Sequence, residues 1–215
     1  MTALLALLLA LPQAPTDAGT LVVRADTVEI AREGFRLLEG TVWRLSSSAR
    51  YDRARPVVVL APILEVARDT QPVTIQYDVT GGREPVRVLG QLGRDRFTVR
   101  FLSGTRETAR ELPAAGRLVV LDDSVFAPYI FAAWRAGPTP SPLTAIFPRA
   151  ARRETLTVHD LGTEGTMLNR DRVSLRHVTL TGGATGVVHL WLSGARLMKV
   201  EIPSRGVVAE RSPGS

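Results

Sequence analysis

The sequence contains no cysteine among its 215 residues. Disulfide bonds and thiolate metal sites are therefore excluded, and so is a bacterial lipid anchor on an N-terminal cysteine. Lysine is almost as scarce, because Lys199 is the single lysine among 27 basic residues. Aromatic residues make up only 6% of the chain. No apolar run reaches the roughly 20 residues that a membrane-spanning helix requires, so we expect no transmembrane span in the mature protein.

One short apolar run opens the chain. Residues Leu4 to Leu11 are apolar throughout and are followed by Pro12 and several small residues. This length and order are typical of a signal peptide, and they predict cleavage after Ala18 or, less usually, after Ala14. The alternative is a buried N-terminal helix. We therefore expect a signal peptide over 1–18, a single domain over 19–212 and a frayed tail over 213–215, with export to the periplasm or the cell exterior.

The chain carries a net charge of +6. Its arginines are scattered rather than clustered, and aromatic residues are not interleaved with them as on a nucleic-acid-binding surface. The pattern predicts no nucleic-acid partner. It favours a solvated surface rich in arginine over a face that attracts anionic lipids.

Apolar and polar residues alternate through most of the remaining sequence. Residues 73–79 place Val, Ile, Tyr and Val on one face, and residues 97–101 alternate in the same way. Glycine pairs and a Ser-Gly pair separate such runs, for example at Gly81-Gly82, Gly182-Gly183 and Ser193-Gly194. This pattern predicts ten to twelve antiparallel strands, arranged as a sandwich, a barrel or a strongly curved sheet.

Residues 57–64 break the alternation, because they are apolar at nearly every position. Such a strand is expected to be covered on both faces. Pro62 lies inside this run and predicts a bulge or the end of strand pairing.

Residues 124–136 carry apolar side chains at helical spacing and are followed by Gly137 and Pro138. We expect a helix here, capped by Asp122 and Asp123, that either begins near Ala127, with Pro128 in its first turn, or bends at Pro128. Because the segment is apolar almost all round, it should be buried or lie across an apolar opening.

No catalytic or metal-binding arrangement can be assembled from the sequence. The three histidines, His159, His177 and His189, lie on predicted strands with no ligand spacing, and we expect three separate histidines on the sheet surface. Helix capping explains Asp122 and Asp123 better than an acid–base pair does, because adjacent residues do not face each other. Glycine-rich nucleotide loops and nucleophile elbows are absent. The prediction is no enzyme, no cofactor and no metal.

The chain ends in a hairpin, LWLSGARLMKVEIPS, and a last strand, GVVAER. With the leader, the run of strands and one apolar helix, this order resembles exported bacterial half-barrel proteins of the outer-membrane lipoprotein-carrier type. It is also similar to uncharacterised secreted families that close with such a hairpin. The resemblance implies an apolar cavity for acyl chains. Its helical lid would consist of Val125, Phe126, Tyr129, Ile130 and Trp134, and its sheet side of Phe97, Val99 and Phe101. The aromatic residues among these eight would equally suit an ordinary core.

We therefore expect a mainly β fold, a curved and incompletely closed antiparallel sheet (a half-barrel) packed on one long hydrophobic helix. The leading hypothesis is an envelope protein that binds a lipid or another hydrophobic ligand. The alternative is a structural or interaction module with a filled core and a protein partner on an edge strand, for which the polar residues 105–111 are suited. An unrecognised hydrolase or metal enzyme is the third hypothesis.

Overall fold

The computed structural model describes residues 16–81 and 85–214, which form fifteen β-strands, one short α-helix and two 3₁₀ turns, Pro148–Ala150 and Pro203–Arg205. The strands are β1 Asp17–Ala25, β2 Val28–Glu39, β3 Trp43–Tyr51, β4 Val58–Val66, β5 Pro72–Thr80, β6 Val86–Leu92, β7 Arg96–Ser103, β8 Arg106–Pro113, β9 Leu118–Val120, β10 Ser141–Phe147, β11 Arg152–Leu168, β12 Asp171–Thr181, β13 Val188–Ser193, β14 Arg196–Ile202 and β15 Val207–Arg211. The helix is α1, Tyr129–Trp134.

All fifteen strands belong to one sheet, in the order β8-β7-β6-β5-β4-β3-β2-β1-β15-β14-β13-β12-β11-β10-β9. Neighbouring strands are antiparallel except β9 and β10, which are parallel. Strands at distant places in this order nevertheless meet, because β8 contacts β11 and β5 contacts β9. The sheet therefore curls around an interior, while β8 and β9 remain its two unpaired ends in the described chain. The predicted mainly β, incompletely closed and largely antiparallel sheet is confirmed.

Strict alternation decides which side chains enter the interior. Along β2, buried residues alternate with exposed ones, and the buried set is Ala31, Glu33, Phe35 and Leu37. The same alternation on the other strands gathers aliphatic side chains into a single apolar core. Burial of this apolar surface stabilises the fold by roughly 25 cal/mol for each Å² removed from water.

Strand β4 agrees with its prediction only in part. Val59, Ala61 and Ile63 on its outer face are only half-buried, so the expectation of cover on both faces is wrong. The strand continues through Pro62, which pairs with Tyr77 of β5, so no bulge lies there. On the β3 side, however, the predicted interruption of pairing is correct, because Pro62 and Ala61 have no partner between the pairs Ser46–Ile63 and Ala49–Leu60. Proline removes one ladder hydrogen bond, and the flanking pairs hold the register.

The prediction of one long helix over 124–136 is wrong, because α1 has 6 residues and begins after Pro128. The residue before a proline avoids helical backbone angles, which prevents the helix from extending through Ala127. Gly137 and Pro138 follow the helix closely. Among the described residues, no helix is long and apolar enough to cross a membrane.

The chain from Leu121 to Ala136, which we call the inner segment, lies against the concave side of the sheet. Residues 125–133 are all buried, and α1 packs on β14. The interior is therefore occupied by the protein's own chain.

Parts of the predicted boundaries lie outside the described residues, namely residues 1–15, Gly82 of the predicted glycine turn, and Ser215 of the predicted tail. Asp17 and Ala18 pair with Leu37 and Arg36 as the first residues of β1. Cleavage after Ala14 would leave this strand whole, whereas cleavage after Ala18 would remove two of its paired residues. The position of cleavage stays a prediction.

Candidate functional site

The structure gathers all eight residues of the predicted ligand site into one apolar core. Six of them are at most 2% exposed, namely Phe97, Val99, Val125, Phe126, Tyr129 and Ile130. The other two, Phe101 and Trp134, are half-buried and pack against the same core. The two predicted walls therefore share one core, and the inner segment fills it.

The sheet side and the helix side of this set have different neighbours. The ring of Phe97 lies over Gly90, where an added Cβ atom would come within 2.6 Å of it. Trp134, at the end of α1, makes an edge-on contact with Trp43, with ring centroids 5.1 Å apart. Its indole nitrogen also donates to the carbonyl of Ala195 at 2.9 Å. Each wall is thus held by its own specific contacts.

A small apolar cavity remains next to Tyr129. It has a volume of about 10 Å³ and is lined by Leu121, Tyr129, Phe147, Leu156, Leu180 and Val188 with neighbouring backbone. A volume of this size is comparable to the space that one water molecule needs. It cannot hold an acyl chain with the inner segment in place.

A fully buried carboxylate holds the start of the inner segment. Glu33 of β2 is 0% exposed, and it accepts hydrogen bonds from the amides of Phe126 at 2.6 Å and Ala127 at 2.9 Å. The hydroxyl of Ser47 on β3 donates to the same carboxylate at 2.6 Å. Glu33 points inward because the alternation of β2 places it there, between two apolar neighbours.

The pKa of the Glu33 carboxyl group lies well above the ordinary value for glutamate. Burial raises the pKa of this carboxyl group to about 7, although the three hydrogen bonds from Ser47, Phe126 and Ala127 favour its ionised form. The nearby negative charge of Asp122 raises the pKa further. The sequence predicted no role for Glu33. The sequence does contain one indication of a role, because Glu33 is a lone acidic residue on the apolar face of an alternating strand.

Asp122 forms the second polar anchor of the inner segment. Its carboxylate binds Arg149 through two hydrogen bonds of 2.7 and 2.8 Å and accepts the amide of Ser124 at 2.7 Å. Asp123 instead contacts Arg152 at 3.1 Å. The predicted capping of the helix by these two aspartates is wrong, because α1 starts at Tyr129 and has no side-chain cap. They bind arginines that reach in from the chain after β10.

The outer face carries a histidine pair rather than three separate histidines. Nε2 of His177 lies 2.9 Å from Nδ1 of His189, and Glu164 binds the other ring nitrogen of His177 at 2.8 Å. The ring of Trp191 stacks on His177 with centroids 3.9 Å apart. Burial lowers the pKa of His189, and the neighbouring His177 lowers it further. The prediction of three isolated histidines is therefore wrong for this pair. The indication in the sequence was the β12–β13 hairpin. It places His177 opposite Trp191, and His189 lies two residues before Trp191 on the same face of β13.

The described residues contain no group of three or more His, Cys, Asp or Glu side chains placed to hold a metal ion. The carboxylates of Glu33 and Asp122 accept hydrogen bonds from protein donors. The arrangement can hold the inner segment and exchange a proton at Glu33.

The fold places the chain among β-barrel-like proteins. No protein-family model matches the sequence, and no curated protein matches it either. A crystal structure of a β-barrel-like protein of a domain of unknown function, DUF1849, from Brucella abortus is similar. The TM-score is 0.58 at 11% sequence identity, over 91% of this chain and 94% of that one. The likeness establishes the architecture.

Proposed function

We propose that the protein is an exported, non-catalytic interaction module of the cell envelope that binds an extended segment of another envelope protein along β8. The observation that carries this proposal is the exposed end of the sheet at β8, combined with an interior that its own chain occupies. A filled interior leaves the surface as the place where a partner can bind.

Residues 106–111 of β8 are exposed, and within the described residues no strand other than β7 pairs with β8, although β11 lies near it. The outer edge of β8 therefore offers a row of backbone hydrogen-bonding groups. Strand β8 forms a hairpin with β7 through a two-residue turn at Gly104 and Thr105, in which Gly104 has a φ of 56°. A two-residue turn makes the flanking pair, Ser103 and Arg106, a hydrogen-bonded pair. Alternation along β8 then directs the amides and carbonyls of Glu107, Ala109 and Glu111 away from β7. An extended peptide can pair with this row.

The charges of β8 select the partner. Glu107 and Glu111 lie on the outer face, where Arg100 binds Glu107 at 2.6 Å and Arg96 binds Glu111 at 3.3 Å. Arg106 and Arg110 lie on the opposite face. A partner strand therefore gains most from basic residues across from the two glutamates and acidic residues across from the two arginines.

A second copy of this chain fits β8 poorly. In an antiparallel pair, a residue whose amide and carbonyl face the partner strand must lie opposite another such residue. If two copies of β8 paired, the two-fold axis would therefore pass through a residue and not between two residues. An axis at Thr108 places Arg106 opposite Arg110, and an axis at Ala109 places Glu107 opposite Glu111. Like charges directly opposite each other are destabilising. The occupant is therefore a different chain.

A cross-linking experiment in the host tests the proposal. A photoreactive phenylalanine analogue is placed at Thr108, with the exposed Thr27 in the β1–β2 turn as the matched control position. We expect one defined cross-linked partner at position 108, joined through an extended segment with the charge pattern above. The substitution Ala109→Pro should abolish the product, because it removes an outward amide while the β7–β8 hairpin keeps all its hydrogen bonds. A cross-link that survives Ala109→Pro, or that appears equally at Thr27, would contradict the proposal.

Binding of a lipid or another hydrophobic ligand is the second candidate, as the lipoprotein-carrier resemblance implies. It is favoured by the contacts of residues 125–133, which are buried and apolar and which Glu33 holds at their start. An acyl chain could replace these residues if the inner segment moved out. Binding of a fluorescent fatty acid should then increase strongly in Glu33→Ala and remain unchanged in Ser48→Ala on the outer face. Equal, negligible binding by both variants would remove this candidate.

A further inference from the structure

Two arginines meet where the inner segment ends. Arg135 follows α1 and is 7% exposed, whereas Arg117, just before β9, is exposed. Arg117 donates to the carbonyl of Arg135 at 2.7 Å and to the hydroxyl oxygen of Ser141 at 2.9 Å. The first of these bonds satisfies a carbonyl at the end of the helix, which needs a partner. It also fixes Arg117 beside the second guanidinium group.

Neither arginine forms a salt bridge within the described residues, although the negative charge of Asp69 acts on Arg135 from a longer distance and favours its protonated form. In the described parts of the chain, no carboxylate lies within 4.0 Å of Arg117 or Arg135, although most other half-buried arginines form such pairs. Arg135 donates to the carbonyl of Asp69 through a long contact of 3.4 Å, and its buried Nε atom has no hydrogen-bond partner. Burial lowers the pKa of Arg135 to about 10, and the positive charge of Arg117 contributes in the same direction. A buried, unpaired charge is costly.

We propose that Arg117 and Arg135, with the hydroxyl group of Ser141, form a binding site for a phosphate-type oxyanion. Guanidinium groups match the oxygen spacing of phosphate and bind it through paired, charge-assisted hydrogen bonds. Two cations and one hydroxyl donor suit a doubly charged tetrahedral anion better than a single carboxylate. Such an anion would neutralise the pair and accept hydrogen bonds from the terminal nitrogens of the two guanidinium groups.

The ligand chemistry has two sources, free phosphate and the headgroup of a phospholipid. Both present non-bridging phosphate oxygens to the arginines, but a phosphodiester headgroup carries one negative charge and free phosphate carries up to two near neutral pH. The proposal does not depend on the partner bound at β8, since β8 contributes no residue to this site.

The test uses Arg117→Met, which removes an exposed side chain together with its hydrogen bond to the carbonyl of Arg135, and urea unfolding of the phosphate-free variant measures what that lost bond costs in stability. Arg36→Met is the matched control, because Arg36 is an exposed strand arginine with the same charge. Thermal melting and calorimetric titration with inorganic phosphate are compared with chloride at equal ionic strength. Phosphate should stabilise the wild type and Arg36→Met, and it should bind Arg117→Met about tenfold more weakly or not at all.

A second arm distinguishes the source. Co-sedimentation with vesicles of phosphatidylglycerol and phosphatidylcholine is compared with vesicles of phosphatidylcholine alone. Retention on the anionic vesicles that is lost in Arg117→Met and kept in Arg36→Met identifies a headgroup, whereas a response to inorganic phosphate alone identifies the free anion. Equal behaviour of the two variants, or no response to either probe, would overturn the proposal.

Discussion

Replacing Glu33 by glutamine should change the pH dependence of stability. The carboxyl group is fully buried, and burial raises its pKa from 4.5 to about 7. A folded-state pKa above the unfolded one means that the native protein binds the extra proton between these values. The resulting stabilisation is complete below pH 4.5 and is lost as the pH rises through 7. At about 1.4 kcal/mol for each pKa unit, it amounts to about 3 kcal/mol.

Glutamine cannot titrate, and it also fits the site less well. The side-chain amide of the substituted glutamine would direct a donor at the amide hydrogen of Phe126 or Ala127, where the native carboxylate accepts. Losing a buried hydrogen bond costs about 1–3 kcal/mol. Glu33→Gln should therefore be less stable than the wild type by about 2 kcal/mol at pH 5. At pH 8 it should be equally stable or slightly more stable, because the wild type has then lost its advantage.

Urea unfolding, followed by the fluorescence of the three tryptophans, measures this difference at pH 5 and pH 8. Ser47→Ala is the companion variant. It removes one donor to the carboxylate, so it should cost more at pH 8, where Glu33 is ionised, than at pH 5. Ser48→Ala, on the exposed outer face of the same strand, should change neither value. A wild-type-minus-glutamine difference that is constant with pH would show that Glu33 is ionised throughout, and that its hydrogen bonds outweigh its burial.

Two further predictions concern packing and buried hydroxyl groups. Gly90→Ala should lower the free energy of unfolding by about 1–3 kcal/mol, because its Cβ atom would meet Ile75 at 2.5 Å and Phe97 at 2.6 Å. Gly34→Ala is the control, since nothing lies within 4 Å of its Cβ position, and urea unfolding should find it at least as stable as the wild type. Tyr77→Phe should cost less than Tyr51→Phe, because the buried hydroxyl of Tyr77 makes no contact with good hydrogen-bond geometry, although it lies near Asp122 and Arg149. Tyr51→Phe should cost about 1 kcal/mol, because the hydroxyl of Tyr51 donates to the carbonyl of Ser124 at 2.6 Å. Equal losses in the two tyrosine variants would contradict this interpretation.

The fold class was predictable because alternation is a local property of the sequence. Residues 97–101 alternate in sequence and alternate in burial as part of β7. The polar stretch at 105–111 was correctly assigned to an edge, since charges on both faces exclude a central strand. The apolar spacing of residues 124–136 predicted too long a helix. Of the two alternatives left open at Pro128, a start close to that residue is correct, because its restriction on Ala127 leaves a helix of 6 residues.

The site was less predictable, because its groups come together only through the register of distant strands. Glu33 and Phe126 are 93 residues apart, and the sequence contains no signal that pairs them. The bulge between Glu65 and Val66 shows the same limit, since it turns Val73 outward in a strand whose alternation placed it inside. The histidine pair depends in the same way on the register of β12 and β13.

Native mass spectrometry of the mature protein, purified from its host without detergent, tests most directly whether the inner segment occupies the interior. We expect the mass of the polypeptide alone, unchanged after incubation with diacylglycerol, an acyl lipid that carries no phosphate group for Arg117 and Arg135 to bind. A stoichiometric acyl lipid that remains bound would mean that residues 121–136 leave the interior in the cell, and that the lipid-binding alternative is the correct one.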